Sequence, residues 1–370
     1  MFILTLCILW VLRKTSSTGV NCNSHPTRKN FKNNAARVGI IATTRASTNL
    51  DSWIKYHRAI GISYFFIALD AREVPPMLRK KYQRVCDVTL YTAVQIEAWR
   101  SKSEILGLHR MQKHINKPIC GVDRVFVQQA LSAEFIIYQI LHGKLGLDID
   151  WLFHIDTDEL IYSEDFKDDI HLGRLLALIP KSVGRIILPN YEAVPEKLSN
   201  TDSFVDVTLF KRSQKHIDAE IYSKYKDAFK RDNPRNFLGY TNGKSAARVL
   251  DDLRPVGVHN FEHIRSRGLK QITLNESMIL HYAFTDYSRV MGRFSQCDCP
   301  KEFTHKCKRL PFDMELAHKF DELYSSPREE ELQKWYEARV VVSEPDSAYA
   351  TKFLKLGMLT RITLPSTIIQ

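Results

Sequence analysis

Trp151–Tyr162 reads WLFHIDTDELIY. Trp151 to Ile155 is a mostly apolar run of strand length. Asp156, Thr157, Asp158 and Glu159 follow at once. In an extended segment residues i and i+2 share a side, so Asp156 and Asp158 present two carboxylates together where a strand ends. In open α/β sheets that carboxyl edge is where ligands bind. Adjacent carboxylates repel, and burying them without compensation is costly. A divalent cation relieves both problems. Oxygen ligands of this kind suit Mg²⁺ or Mn²⁺, with phosphate oxygens completing the coordination. The second D-x-D, Asp148 and Asp150, precedes the apolar run and reads as a solvated turn. The bland alternative for Asp156–Glu159 is an acidic loop that caps the next element.

Outward toward the N-terminus, the segments alternate. Val38–Thr44 is a buried strand pattern. Asn49–Ile60 is helical, with Leu50, Trp53, Ile54, His57 and Ile60 on one face, Asn49 as N-cap and Gly61 as terminator. Tyr64–Leu69 is a second strand, closing on Asp70. Pro75-Pro76 opens a basic helix to about residue 84, and Cys86–Tyr91 is a third strand. The β-α-β-α-β order implies a parallel sheet flanked by helices. Asp70 then stands beyond a strand's carboxyl end, placed either to hold a ribose hydroxyl or base edge or to cap a turn. His57 reads as a core histidine. Residues 92–126 look irregular, and a helix runs from Val127 to about His142.

Bulk properties set the limits. The 370 residues are 44% hydrophobic and 26% charged, an ordinary globular composition. The net charge of +11 favours anionic partners. No basic stripe interleaved with aromatics and no zinc-finger spacing is present, which argues against nucleic acid. Met1–Leu12 is almost wholly apolar but shorter than the ~20 residues a bilayer crossing needs. It reads as a secretory-pathway address, either signal-like or the remainder of a signal-anchor, with a buried strand as the alternative. Residues 13–35 would be a basic, flexible stem.

The run Trp53–Ile67 (WIKYHRAIGISYFFI), the Gln128–His142 helix, Trp151–Glu159, Gly243-Lys244-Ser245, Val258-His259 and Leu280-His281-Tyr282 follow in one order. Over roughly residues 37–295 this order resembles the family-2-like and family-92-like glycosyltransferases. The resemblance implies a GT-A fold: α/β and Rossmann-like, with a mostly parallel sheet and flanking helices. It implies a metal-dependent transferase, of hexosyltransferase type, moving a sugar from a nucleotide-sugar, a UDP-sugar by default, to a glycan or other hydroxyl acceptor. Asp156 and Asp158 match the family's D-x-D, Glu159 its following acid, and His281 a late histidine that completes the Mn²⁺ or Mg²⁺ site. Asp70 matches a nucleotide contact. Lys244 and His259 match positions near the crevice. The family's Lys-Asn-Glu after the first strand is Thr43-Thr44-Arg45 here, and the basic residue after His-Tyr is displaced to Arg289 or Arg293. The resemblance places the protein in the secretory pathway, at the Golgi membrane through its N-terminus or in the lumen. The chain divides as residues 1–35, a GT-A domain over 36–300, and a helical C-terminal extension over 301–370.

Loss of a nucleoside diphosphate needs positive charge on the leaving group. An inverting transfer also needs a carboxylate base, for which Asp206 and Glu262 are the candidates. Gly243-Lys244-Ser245 is no P-loop, since Leu238 stands where the first glycine belongs; it reads as a loop in which Lys244 reaches phosphate. Cys297, Cys299, His305 and Cys307 admit disulfides, a zinc site or free thiols, and Cys86 with Cys120 is a second potential bridge. Ser326-Pro327 starts a helix to about Arg339, and a loose tail with one short helix follows Glu344. Asn275-Glu276-Ser277 is a sequon. Two rivals share the acidic strand: a haloacid-dehalogenase-like phosphatase with Asp156 as nucleophile, and a non-catalytic basic protein that binds glycans or membranes on the same fold.

Overall fold

The computed structural model describes residues 35–45, 49–115, 118–168, 171–225, 237–258, 260–295, 297–308, 310–323, 328–343 and 347–370. The N-terminal address, most of the stem, His259 and the Ser326-Pro327 helix start lie outside them.

The chain enters through β1 (Val38–Thr44), α1 (Leu50–Ala59), β2 (Tyr64–Leu69), α2 (Pro76–Tyr82) and β3 (Val88–Thr92), close to the expected bounds. β2 is buried at every position, as a parallel strand covered on both faces must be. Gly61, at φ +99°, ends α1 in the left-handed region. Asn49 precedes α1 without capping it; its side chain donates to Asp202 Oδ1 at 2.9 Å instead. The stretch read as irregular holds α3 (Ala93–Glu97), nucleated by a Thr92/Gln95 capping box, and α4 (His109–Ile115). α5 (Gly121–Leu141) starts well before Val127. β4 (Trp151–His154) follows, and the chain turns through Asp156–Asp158 rather than running on extended. Glu159 opens β5 (Glu159–Ser163).

Then come α6 (Leu172–Ala177), β6 (Val183–Leu188), β7 (Asn190–Val194), α7 (Ser203–Asp206), β8 (Leu209–Lys211) and α8 (Ala219–Tyr225). β9 (Lys244–Arg248), β10 (Leu253–Val256), β11 (Asn260–His263), β12 (Lys270–Thr273) and β13 (Ser277–His281) follow. Last are α9 (Tyr287–Ser295), α10 (Pro311–Glu322), α11 (Arg328–Val340), α12 (Ser347–Lys355), β14 (Leu359–Arg361) and α13 (Leu364–Ile369). The expected loose tail after Glu344 is therefore regular structure.

The expected α/β class holds. A seven-stranded sheet runs β12-β6-β9-β4-β1-β2-β3. Among the described residues only β9 pairs antiparallel in it, with β4 and with β6. Lys244 thus begins a central strand, not the expected loop. A five-stranded sheet, β14-β8-β7-β13-β5, lies beside it and shares one apolar core with it. β5 is the edge strand of that second sheet, and α1 covers the edge. Trp53 Nε1 and Tyr56 Oη donate to the carbonyls of Glu159 and Ile161, each at 2.8 Å. His57 Nε2 accepts from Ile161 N at 3.2 Å, and Nδ1 donates to the Trp53 carbonyl at 2.9 Å. His57 is a core histidine, as expected.

Disulfides join Cys120 to Cys299 and Cys297 to Cys307. Cys86 is also oxidised, but its partner is not Cys120. Among the described residues the sulfurs of Cys297, Cys299 and Cys307 converge without His305. All three are committed to disulfides, so the four-ligand zinc set does not form. Among the described residues no helix is long and apolar enough to cross a membrane.

Candidate functional site

The site begins where β4 ends. β1, β2 and β4 run parallel, so their carboxyl ends share one edge of the larger sheet. Asp156 and Asp158 stand beyond β4, Arg45 beyond β1 and Asp70 beyond β2. Thr157 Oγ1 meets Thr44 Oγ1 at 3.2 Å, tying the acidic turn to the end of β1. Asp70 accepts from Arg45 Nε at 3.1 Å and, through both oxygens, from Arg124 Nη1 at 3.1 and 3.2 Å.

Asp156 and Asp158 have different surroundings. Asp156 Oδ1 accepts from Gln129 Nε2 at 2.6 Å, and Oδ2 from Lys244 Nζ at 2.6 Å. Lys244 Nζ also lies 3.2 Å from Glu159 Oε2, and its side chain is 1% exposed. Burial alone would lower the Lys244 ammonium; Asp156 and Glu159 more than offset it, and its pKa is raised. Glu159 is wholly buried. Its Oε2 accepts from Asp156 N at 2.8 Å and its Oε1 from the Tyr240 hydroxyl. Burial, with Asp156 and Asp158 nearby, raises the Glu159 pKa against the pull of Lys244. Asp158 is the open member: its side chain is 32% exposed, and Oδ2 lies 3.9 Å from His281 Nε2.

His281 closes β13, between β5 and β7. In register it opposes Glu159 on one side and Glu192 on the other, and Glu192 opposes Lys211. Directly opposed residues share a face. Glu159, His281, Glu192 and Lys211 therefore form one polar rung across four strands. Glu192 is compensated within it: Oε1 accepts from Lys211 Nζ at 2.8 Å and Leu238 N at 2.9 Å, and Oε2 from Gly239 N at 2.8 Å. The Tyr240 ring lies on His281, centroids 4.7 Å apart. Burial lowers the His281 pKa, and Asp158 and Glu192 only partly oppose it, which favours the neutral imidazole. Asp158 and His281 fit a hard divalent cation as one oxygen and one nitrogen ligand, with the remaining positions open to phosphate oxygens. Asp156, expected in that set, has each oxygen turned to a protein donor.

The other expected residues take other places. Lys244 faces Asp156 and Glu159 rather than solvent. Asp206 Oδ2 accepts from Thr201 N at 2.8 Å and Asp202 N at 3.1 Å, fixing the loop before α7. Glu262, on the β10–β11 ribbon, is ion-paired with Arg110 and Arg254. Arg293 packs over Phe284, 5.1 Å from the ring centroid, beside the segment that follows His281. Five residues at the site, Arg124, Gln129, Glu192, Lys211 and Tyr240, were not singled out from the sequence. A glutamine set between the apolar positions of α5, and a lone acid in the buried NYEAV strand, were the available signals; Tyr240 offered none.

No family model matches the chain. It is 33% identical to Glycosyltransferase-like At2g41451 of Arabidopsis thaliana over 339 residues, which is 90% of this chain and 72% of that protein. It is 32% identical to Glycosyltransferase-like At3g57200 of the same plant over 338 residues, 90% of this chain but only 63% of that longer relative. With the two-sheet α/β fold and the acidic edge of β4 in place, this extent of identity shows that the chain belongs to the glycosyltransferase-like family.

Proposed function

We propose that the protein is a GT-A glycosyltransferase that moves a sugar from a nucleotide-sugar, a UDP-sugar first, to a hydroxyl of a glycan or glycoconjugate with inversion. One observation carries the reading: a partly exposed carboxylate, Asp158, faces a buried imidazole, His281, at the carboxyl edge of β4. Asp158 and His281 would hold Mn²⁺ or Mg²⁺, which supplies positive charge to the departing diphosphate when bound. Asp70, held between Arg45 and Arg124, takes the ribose or base on the same edge. Arg293, near the segment after His281, adds positive charge for the leaving phosphates. The protein would work in the secretory pathway, at the Golgi membrane or in the lumen. The disulfides accord with an oxidising compartment.

The test is thermal stability with a panel of nucleoside diphosphates, with and without Mn²⁺. A ligand that binds only the folded state raises the melting temperature. The expected result is a Mn²⁺-dependent rise with one nucleotide, abolished in Asp158→Ala while that variant still melts cooperatively. A panel that gives no shift, or an Asp158→Ala protein that keeps it, overturns the proposal.

A further inference from the structure

We infer that Lys244 is a positioning residue that sets how many carboxylates a divalent cation meets: it holds Asp156 and Glu159, leaving Asp158 and His281 as the cation's side-chain ligands. The inference rests on the donor-site reading above and deepens it.

The turn from Asp156 to Glu159 carries three carboxylates within four residues. Unopposed, they would repel one another and draw a cation into their midst. Lys244 prevents this from inside. Its ammonium lies 2.6 Å from Asp156 Oδ2 and 3.2 Å from Glu159 Oε2, closed to solvent. The Tyr240 ring centroid is 5.6 Å away. An ammonium has only three donor directions, so little of it is left for a substrate phosphate. Gln129 holds the other oxygen of Asp156, and Tyr240 the other oxygen of Glu159. The position of Lys244 is fixed by the chain entering β9. Lys244 pairs in register with Leu188, and at Gly243 a Cβ would fall 1.8 Å from the Leu188 carbonyl oxygen. Only glycine lets the strand start there. Without the ammonium, Asp156 and Glu159 would line an oxygen-rich gap next to Asp158, of the kind hard cations fill.

Mn²⁺ binding read by electron paramagnetic resonance of the free ion, on the purified chain without nucleotide, tests this directly. Lys244→Met is expected to bind Mn²⁺ about tenfold more tightly than wild type or better, since ligand charge count tunes cation affinity. Its melting temperature should rise with Mn²⁺ where the wild type's does not. The double variant Lys244→Met/Asp156→Asn should lose that gain. A folded Lys244→Met with wild-type Mn²⁺ affinity, or a double variant that keeps the gain, overturns the inference. If Lys244→Met does not fold, Asp156→Asn decides. With nucleoside diphosphate present it should keep Mn²⁺ affinity within about twofold while Asp158→Ala loses it; an equal loss in both sinks the proposal. Wild type that binds no Mn²⁺ with any nucleotide would instead count against the transferase reading, separately from the nucleotide-free comparison.

Discussion

Two buried histidines make the fold acid-sensitive. Burial lowers His57 to about 3 and His154 to about 4, from an ordinary 6.5. Below 6.5 the unfolded chain takes up protons that the folded chain refuses. Their contribution to stability is therefore complete above that pH and is lost as pH falls toward the folded values. By pH 4 each costs on the order of 3 kcal/mol. His57 cannot be changed cleanly, because both nitrogens are hydrogen-bonded. His154 can, because neither of its nitrogens has a partner among the described residues. His154→Phe should match or exceed wild type at pH 7 and lose about 3 kcal/mol less on going to pH 4, read from urea midpoints; a parallel decline in both proteins would refute this. Asp156, Asp158 and His281 were legible in the sequence because a strand and its acidic end are contiguous, and the ordered motifs located the histidine. Glu192 and Tyr240 were not, because the rung that gathers them exists only once β5, β13 and β7 are paired. Lys244 was noticed, but a short run after two turn residues gives no sign of a central strand.

At the scale of elements, the helix that carries Gln129 to Asp156 and Arg124 to Asp70 is capped from far away. Cys120, the N-cap of α5, makes no side-chain cap bond. Asp298, held nearby by the Cys120–Cys299 disulfide, supplies the missing acceptor: its Oδ1 takes Gly121 N at 2.7 Å, and its Oδ2 takes Arg124 Nε. Gly121 has φ +56°, and a Cβ there would lie 2.7 Å from the Lys306 carbonyl oxygen, so the loop closes over the helix start only because the residue is glycine. This is why the apolar stripe suggested a start at Val127: the extra turns are held by a residue far along the chain. Asp298→Ala should cost about 1 kcal/mol, the usual worth of an N-cap, and Asp298→Asn should recover most of it. Denaturant unfolding with the disulfides intact is the check. An Asp298→Ala protein as stable as wild type would mean that the disulfide alone fixes the helix start.

Across the whole molecule, the part read as an extension beyond residue 300 is built into the site's surroundings. α10 and α11 share an apolar cluster with Leu238, Ala283, Phe284, Tyr287 and Val290. Tyr336 Oη donates to the Phe284 carbonyl at 2.8 Å, and Phe312 N to the Leu238 carbonyl at 3.3 Å. Those bonds grip the segments on either side of the Glu192–His281 rung: 238–240, which covers it, and 282–284, which follows His281. β14 pairs antiparallel with β8, and α13 lies on α1 and α7. α11 was legible as a helix reaching about Arg339, but α12, β14 and α13 were not, since the stretch after Glu344 was read as a loose tail with one short helix. Nor was the docking legible, because a helix pattern states which face is apolar but not what that face meets. A chain ending at Lys308 would leave the Phe284–Tyr287 surface uncovered and remove an edge strand. It is expected to melt without cooperativity and to show no nucleotide-dependent stabilisation. A truncated chain that melts cooperatively near the wild-type temperature, with the nucleotide shift preserved, would instead make residues 309–370 a separable appendage and place every determinant of the site before them.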